Sequence, residues 1–190
     1  SVGLRLSAFT CSSLMSACSK AHRWQEALAT FGAMRGDGVE PNVVNFSCAI
    51  LAWGQASHWA RAVDALAEIW RCGLQPDLGA FNAAVTVCEE SQQWEQAVAL
   101  LESTLRSGHR PRASIFISAI SACYQRSAWE QTLLLLRSMT ERGLPLDHRV
   151  QTAAIEARVR GGLMTDAAEA YRSMAAPRTP KAPGTPGRRS

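Results

Sequence analysis

Between Val43 and Gln55, the residues Phe46, Ile50 and Trp53 fall at i, i+4 and i+7, with Ala49 beside them. That is one apolar stripe at helical period. A second stripe runs from Trp59 to Trp70 through Trp59, Ala62, Val63, Leu66 and Ile69. The polar stretch 55–58 between them is short, so the two predicted helices are antiparallel neighbours. Gly73 then supplies the left-handed residue that ends a helix. Pro76 stops continuation and pushes Gln75 toward an extended shape. Asp77 stands ready to cap the next helix. The pattern is helix, turn, helix, Gly, Pro, cap.

The pattern recurs without slipping. Trp24, Trp59, Trp94 and Trp129 are spaced by 35 residues, as are Gly38, Gly73, Gly108 and Gly143. Ala27, Ala62 and Ala97 keep the same step, with Thr132 in the fourth place. A fixed period in this range marks a repeat array. Each unit must bury its apolar face on its neighbours, which predicts an all-α solenoid of tandem 35-residue helix–turn–helix repeats. Complete units are expected at 8–42, 43–77, 78–112 and 113–147. A degenerate terminal unit follows at 148–176, where Met164 replaces the Trp while Ile155, Ala167, Tyr171 and Met174 stay in phase. Gly3 lies 35 residues before Gly38, so 1–7 reads as the end of a preceding unit and the chain as a piece of a longer array. Small Ala at the helix contact lets paired helices approach. The Trp opening each second helix is expected to be buried, filling the wedge between units.

Charge and cysteine narrow the chemistry. Of 20 basic residues, Arg178, Lys181, Arg188 and Arg189 lie beyond Ala176, which leaves 1–176 balanced against the 16 acidic residues. The repeat body is therefore neutral, and overall basicity does not argue for a nucleic-acid face. In the tail 177–190, Pro177, Pro180, Pro183 and Pro186 share the three-residue period of polyproline II, a composition read as extended or disordered. Cys18, Cys88 and Cys123 occupy one repeat position, where the second unit carries Trp53. Interchange with Trp implies buried apolar residues rather than ligands. No metal-ligand spacing, phosphate loop or nucleophile–base pairing occurs, so no cofactor, catalytic residue or small-molecule substrate is expected. No apolar run approaches the roughly 18 residues of a membrane span.

A 35-residue helix–turn–helix unit with Ala in its second helix, then Gly, then Pro-Asp or Pro-Asn, resembles the pentatricopeptide repeat (PPR) family. The stretches NVVNFSCAILAWGQASHWARAVDALAEIWRCGLQPD and GAFNAAVTVCEESQQWEQAVALLESTLRSGHRP carry the likeness, which covers about residues 3–176. The tetratricopeptide repeat is the nearest rival, but its period of about 34 would drift along the Trp and Gly ladders. The resemblance implies a right-handed solenoid that binds single-stranded RNA, one base per unit, and acts in RNA processing, stability or translation in a mitochondrion or plastid. Protein partners are the alternative, with the groove serving a polypeptide instead.

By that resemblance the fifth and last residues of a unit read the base. Ser12 with Asn42 implies adenine, and Ser47 with Asp77 implies guanine. Asn82 with Arg112 lies outside the usual pairs. In the fourth unit, Ile117 beside Asp147 cannot hydrogen-bond a base. Thr152 has no clear partner. The second residue of each unit flanks the base, a role that Phe9 and Val44 suit better than Gly79, Ser114 and Arg149. Lys20 matches a phosphate-contacting position that Gln55, Glu90 and Gln125 hold in later units. A bland reading stands beside this one: Asn42, Asp77 and Asp147 precede helices and would serve equally as N-caps, while Ser12, Ser47 and Asn82 would be solvated.

Overall fold

The computed structural model describes residues 7–175. The expectations for the start of the chain and for the Pro-rich tail fall outside these residues. Ten helices follow one another: α1 (Ala8–Lys20), α2 (Trp24–Gly36), α3 (Val43–Gln55), α4 (Trp59–Arg71), α5 (Leu78–Glu90), α6 (Trp94–Arg106), α7 (Ala113–Gln125), α8 (Trp129–Glu141), α9 (His148–Arg160) and α10 (Met164–Ala175). The odd-numbered helices begin at intervals of 35 residues, and so do the even-numbered ones. Each helix packs on the next, and each odd helix also packs on the following odd one. The even helices never touch one another through their backbones. Closeness in one layer and separation in the other makes the odd helices the inner, concave layer of an α-solenoid.

The core follows from three repeated positions. Phe46, Phe81 and Phe116 enter from α3, α5 and α7 and are fully buried. Phe31, Leu66, Leu101 and Leu136 meet them from the even helices, where Met34, Ile69 and Met139 add a second buried row. Phe31 and Phe46 pack edge to face with ring centroids 5.4 Å apart. The contact positions Ala27, Ala62, Ala97 and Thr132 are buried as their size requires. Gly54 allows α3 to approach α5 closely, since a Cβ there would lie 2.4 Å from a methyl of Val87.

The tryptophans depart from expectation. Trp24, Trp59, Trp94 and Trp129 are half-buried, and the first three pack at the edge of the clusters rather than inside them. Each opens its helix and stays partly exposed, while phenylalanine and leucine fill the wedge instead. The cysteines behave as small apolar residues. Burial pushes the Cys88 thiol up to about 11 and that of Cys123 to about 12.

Both helices of a unit end in the same way. After α4, Gly73 takes φ of 72°, its N–H donates to the Trp70 carbonyl, and the Leu74 N–H donates to that of Ile69. This is a Schellman ending. After α3, Ser57 takes φ of 59°, with His58 donating back to Trp53. His22, Gln92 and Ser127 hold the same left-handed place in their units, and only α9 meets it with a glycine, Gly162.

Candidate functional site

The inner helices present the fifth residues, and the last residue of each unit immediately precedes the next inner helix. The first pair comes together across 30 positions of chain. The Asn42 amide nitrogen lies 3.5 Å from the Ser12 hydroxyl oxygen. Both are held by a third residue. Asn45 is fully buried and donates to Ser12 Oγ at 3.0 Å, while Ser12 itself donates to the Ala8 carbonyl at 2.8 Å. Asn42 and Asn45 form a reciprocal capping box at the start of α3. Ser12 is thus buried and Asn42 half-buried, not freely solvated. Phe9, three residues before Ser12, is 79% exposed, and Val44 is 51% exposed. Large apolar side chains left open beside a polar pair are the uncommon observation here.

In the second unit, Ser47 donates to the Val43 carbonyl at 2.9 Å. Asp77 is exposed and caps α5 by accepting from the Ala80 N–H at 2.8 Å. No hydrogen bond joins Ser47 to Asp77 among the described residues. In the third unit, Asn82 and Arg112 line one cleft of about 330 Å³ with Leu78, Gly79, Ser114 and Ile115. Asn82 accepts from the Ser114 hydroxyl at 3.2 Å. Arg112 takes the N-cap place of α7 without making a side-chain cap. Capping therefore explains Asn42, Asp77 and Asp147, the last accepting from Val150 at 2.8 Å, but not Arg112.

The fourth junction differs in kind. Half-buried Ile117 lines a cavity of about 410 Å³ with Tyr124, His148, Arg149 and Thr152. Arg149 reaches back across α7 to donate to Ser121 at 2.9 Å and to the Glu89 carboxylate at 3.1 Å. Its charge is neutralised within the groove. A hydrogen bond to Glu156 pushes the Tyr124 phenol up from its ordinary value.

Lys20 is exposed in the last turn of α1, where a cation also complements the helix C-terminus. Arg160 holds the same register four units on, donating to Ser127 Oγ at 2.7 Å. Sequence reasoning passed over Asn45 and Arg160, and named Arg149 only as a poor base-flanking residue. The first had a usable signal: its equivalents Ala80, Ile115 and Val150 are apolar and buried, so a polar residue there needs a partner. Among the described residues, no group of three or more His, Cys, Asp or Glu is placed to share a metal, and no helix is long and apolar enough to cross a membrane.

The geometry defines a class: a solenoid of two-helix units whose inner layer carries clefts at its third and fourth junctions. Residues 1–56 match a family model described as the pentatricopeptide repeat domain. The same helix register runs on through the later units, so the resemblance to pentatricopeptide repeat proteins extends beyond the matched segment. Among solved structures, it is similar to the maize protein PPR10 in complex with an 18-nt psaJ RNA element, with a TM-score of 0.72 at 22% identity. That alignment covers 92% of this chain and 27% of the other, so the chain spans about a quarter of PPR10. The PPR domain of Arabidopsis thaliana protein-only RNase P 1 in complex with tRNA gives a TM-score of 0.77 at 14% identity, over 88% of this chain and 90% of that one. Nuclear proteinaceous RNase P 2 from A. thaliana gives 0.76 at 14%, over 87% and 37%. A comparison with curated proteins finds no match.

Proposed function

We propose that the chain binds single-stranded RNA along its inner helices, one base per junction, and serves RNA processing, stability or translation in a mitochondrion or plastid. The unit boundaries are those at 8, 43, 78, 113 and 148. The carrying observation is the cleft where Gly79, Asn82, Arg112 and Ser114 converge. These are the second, fifth and last residues of one unit and the second of the next. Transposed by the repeat, the same four places in the first unit hold Phe9, Ser12, Asn42 and Val44. Two open apolar side chains flanking a short polar pair suit a flat heterocycle whose edge needs reading. The PPR10 and RNase P 1 structures named above each hold an RNA, which supports the same reading. Catalysis is not assigned to these helices.

Phosphate contacts usually dominate affinity for nucleic acids. With Arg149 tied to Glu89, Lys20, the exposed Arg112 and the basic residues of 177–190 are candidates to supply them. The fourth junction, where Ile117 replaces a polar fifth residue and Arg149 is paired with Glu89, favours the second reading, a groove for a polypeptide.

The test is a titration of the chain against short RNAs with and without adjacent adenine and guanine, at two salt concentrations. Base reading predicts a preference for AG. Asp77→Asn keeps an N-cap, because asparagine caps as well as aspartate, yet should move the second-base preference from guanine to adenine. Binding that ignores sequence and disappears when 177–190 is removed would assign it to the tail alone. Absence of RNA binding at low salt would transfer the function to a protein partner.

A further inference from the structure

Two apolar ladders of the core break together in the fifth unit, on one face of α9. Phe46, Phe81 and Phe116 are fully buried, and the residue in their register is Gln151. Cys88 and Cys123 are buried too, and the residue in theirs is Arg158. The two replacements stand two helical turns apart, so they share a face. Both line a single cavity of about 380 Å³ between α8, α9 and α10, walled by Leu133, Leu136 and Leu146. It shares no residue with the clefts at the third and fourth junctions. Gln151 makes one long side-chain hydrogen bond among the described residues, donating to the Leu146 carbonyl at 3.4 Å. Arg158 donates to the Ala154 carbonyl at 3.3 Å and pairs with no carboxylate among the described residues. Solubility alone would not require either residue to be half-buried, as both are. A guanidinium partly withdrawn from water beside leucines is costly until an anion meets it. Arg137, on the same cavity, is already paired with Glu141, which leaves Arg158 to take that anion.

We propose that this cavity docks a protein partner through an acidic-aromatic segment. A phenylalanine side chain enters the wedge, and a neighbouring carboxylate pairs with Arg158. The fold itself argues for the aromatic guest, because phenylalanine fills the equivalent wedge in three units. The volume falls within the roughly 300–1,000 Å³ of ligand pockets, and an aromatic anchor in such a pocket carries most of the energy of an interface. Charge complementarity then selects acidic over basic flanks. The site does not depend on base reading. A chain using both would bring a protein to an RNA held along its inner helices.

The experiment follows fluorescence anisotropy of a labelled heptapeptide, one phenylalanine between pairs of glutamates, as the 190-residue chain is added. Binding should saturate. Alanine in place of the phenylalanine, or lysines in place of the glutamates, should weaken it at least about tenfold, as loss of an anchor does. Gln151→Phe fills the cavity from within, so it should abolish binding and raise Tm. Arg158→Met keeps the length and removes the charge, so binding should fall about tenfold and lose its salt dependence. Both variants should keep the RNA affinity of the parent. Absence of saturation in the parent overturns the inference, and so does Gln151→Phe binding as tightly as the parent. Equal affinity for the alanine peptide also overturns it, since exposed arginines would then be collecting any acidic chain. Circular dichroism checks that each variant folds; should Gln151→Phe fail to, Arg158→Met and the peptide series still decide.

Discussion

Replacing Gln92 with glycine should stabilise this array, although it removes a side chain and adds freedom to the unfolded chain. Gln92 sits at φ of 56° in the turn between α5 and α6, and no side-chain hydrogen bond holds it there among the described residues. A left-handed conformation costs an L-residue about 1–2 kcal/mol. Glycine escapes that strain but loses about 0.4–1 kcal/mol through the greater entropy of its unfolded state. The difference leaves Gln92→Gly more stable by about 0.5–1 kcal/mol. In a chain of this size that raises Tm by about 1–4 °C. Ser57, 35 residues away at φ of 59°, is equivalent, and the two changes should add. The converse holds in the fifth unit, where Gly162→Gln should lower Tm by a similar amount. Ser127→Gly should gain less than the others because Ser127 Oγ accepts from Arg160. Thermal and guanidinium unfolding of the four variants decide the matter. A Gln92→Gly variant with a lower midpoint than the parent would refute the strain argument.

The core predicts an order of losses. Phe81→Ala should cost about 3–5 kcal/mol as a fully buried aromatic, and Trp94→Ala should cost less because its ring is half-buried; denaturant midpoints in the reverse order would restore the tryptophan to the wedge. Thiol reactivity separates the six cysteines: at pH 8 an alkylating reagent should modify exposed Cys72 quickly and leave Cys88 and Cys123 untouched, as mass spectrometry would show. The raised thiol values also set a pH dependence. Both thiols favour the protonated form when folded, so their contribution is complete below the ordinary thiol value and is lost as pH rises toward 11 and 12, which alkaline unfolding measures.

The fold was legible because its signal is redundant. Each apolar stripe is weak, but Phe46, Phe81 and Phe116 repeat it in one register, and Gly73 with its equivalents marks every second-helix ending. The first-helix endings were hidden: His22, Ser57, Gln92 and Ser127 are three residue types over four places, and nothing in a serine or glutamine announces a positive φ. The tryptophan ladder gave period without depth, since regular spacing says nothing of how much of a ring lies under the next turn. At the site, the sequence named positions but not partners. Ser12 and Asn42 meet through Asn45, and Arg149 leaves its own position for Glu89, 60 residues earlier. Such pairings depend on distances between units, which no window along the chain contains.

The unequal spacing of the two helix layers makes the molecule a spring. Bending that widens gaps between even helices separates no helices in backbone contact, whereas closing the inner layer further is opposed by helices already packed together. Pitch can therefore change with little loss of core. Compliance is not uniform, however. An ion pair between Arg35 and Glu68 staples α2 to α4 across the outer gap. The equivalent places in the next two junctions hold Trp70 with Ser103 and Leu105 with Ser138, which cannot pair in this way. The array is stiffest at its first junction, and a strand lying along the inner helices would stretch or compress the later ones first.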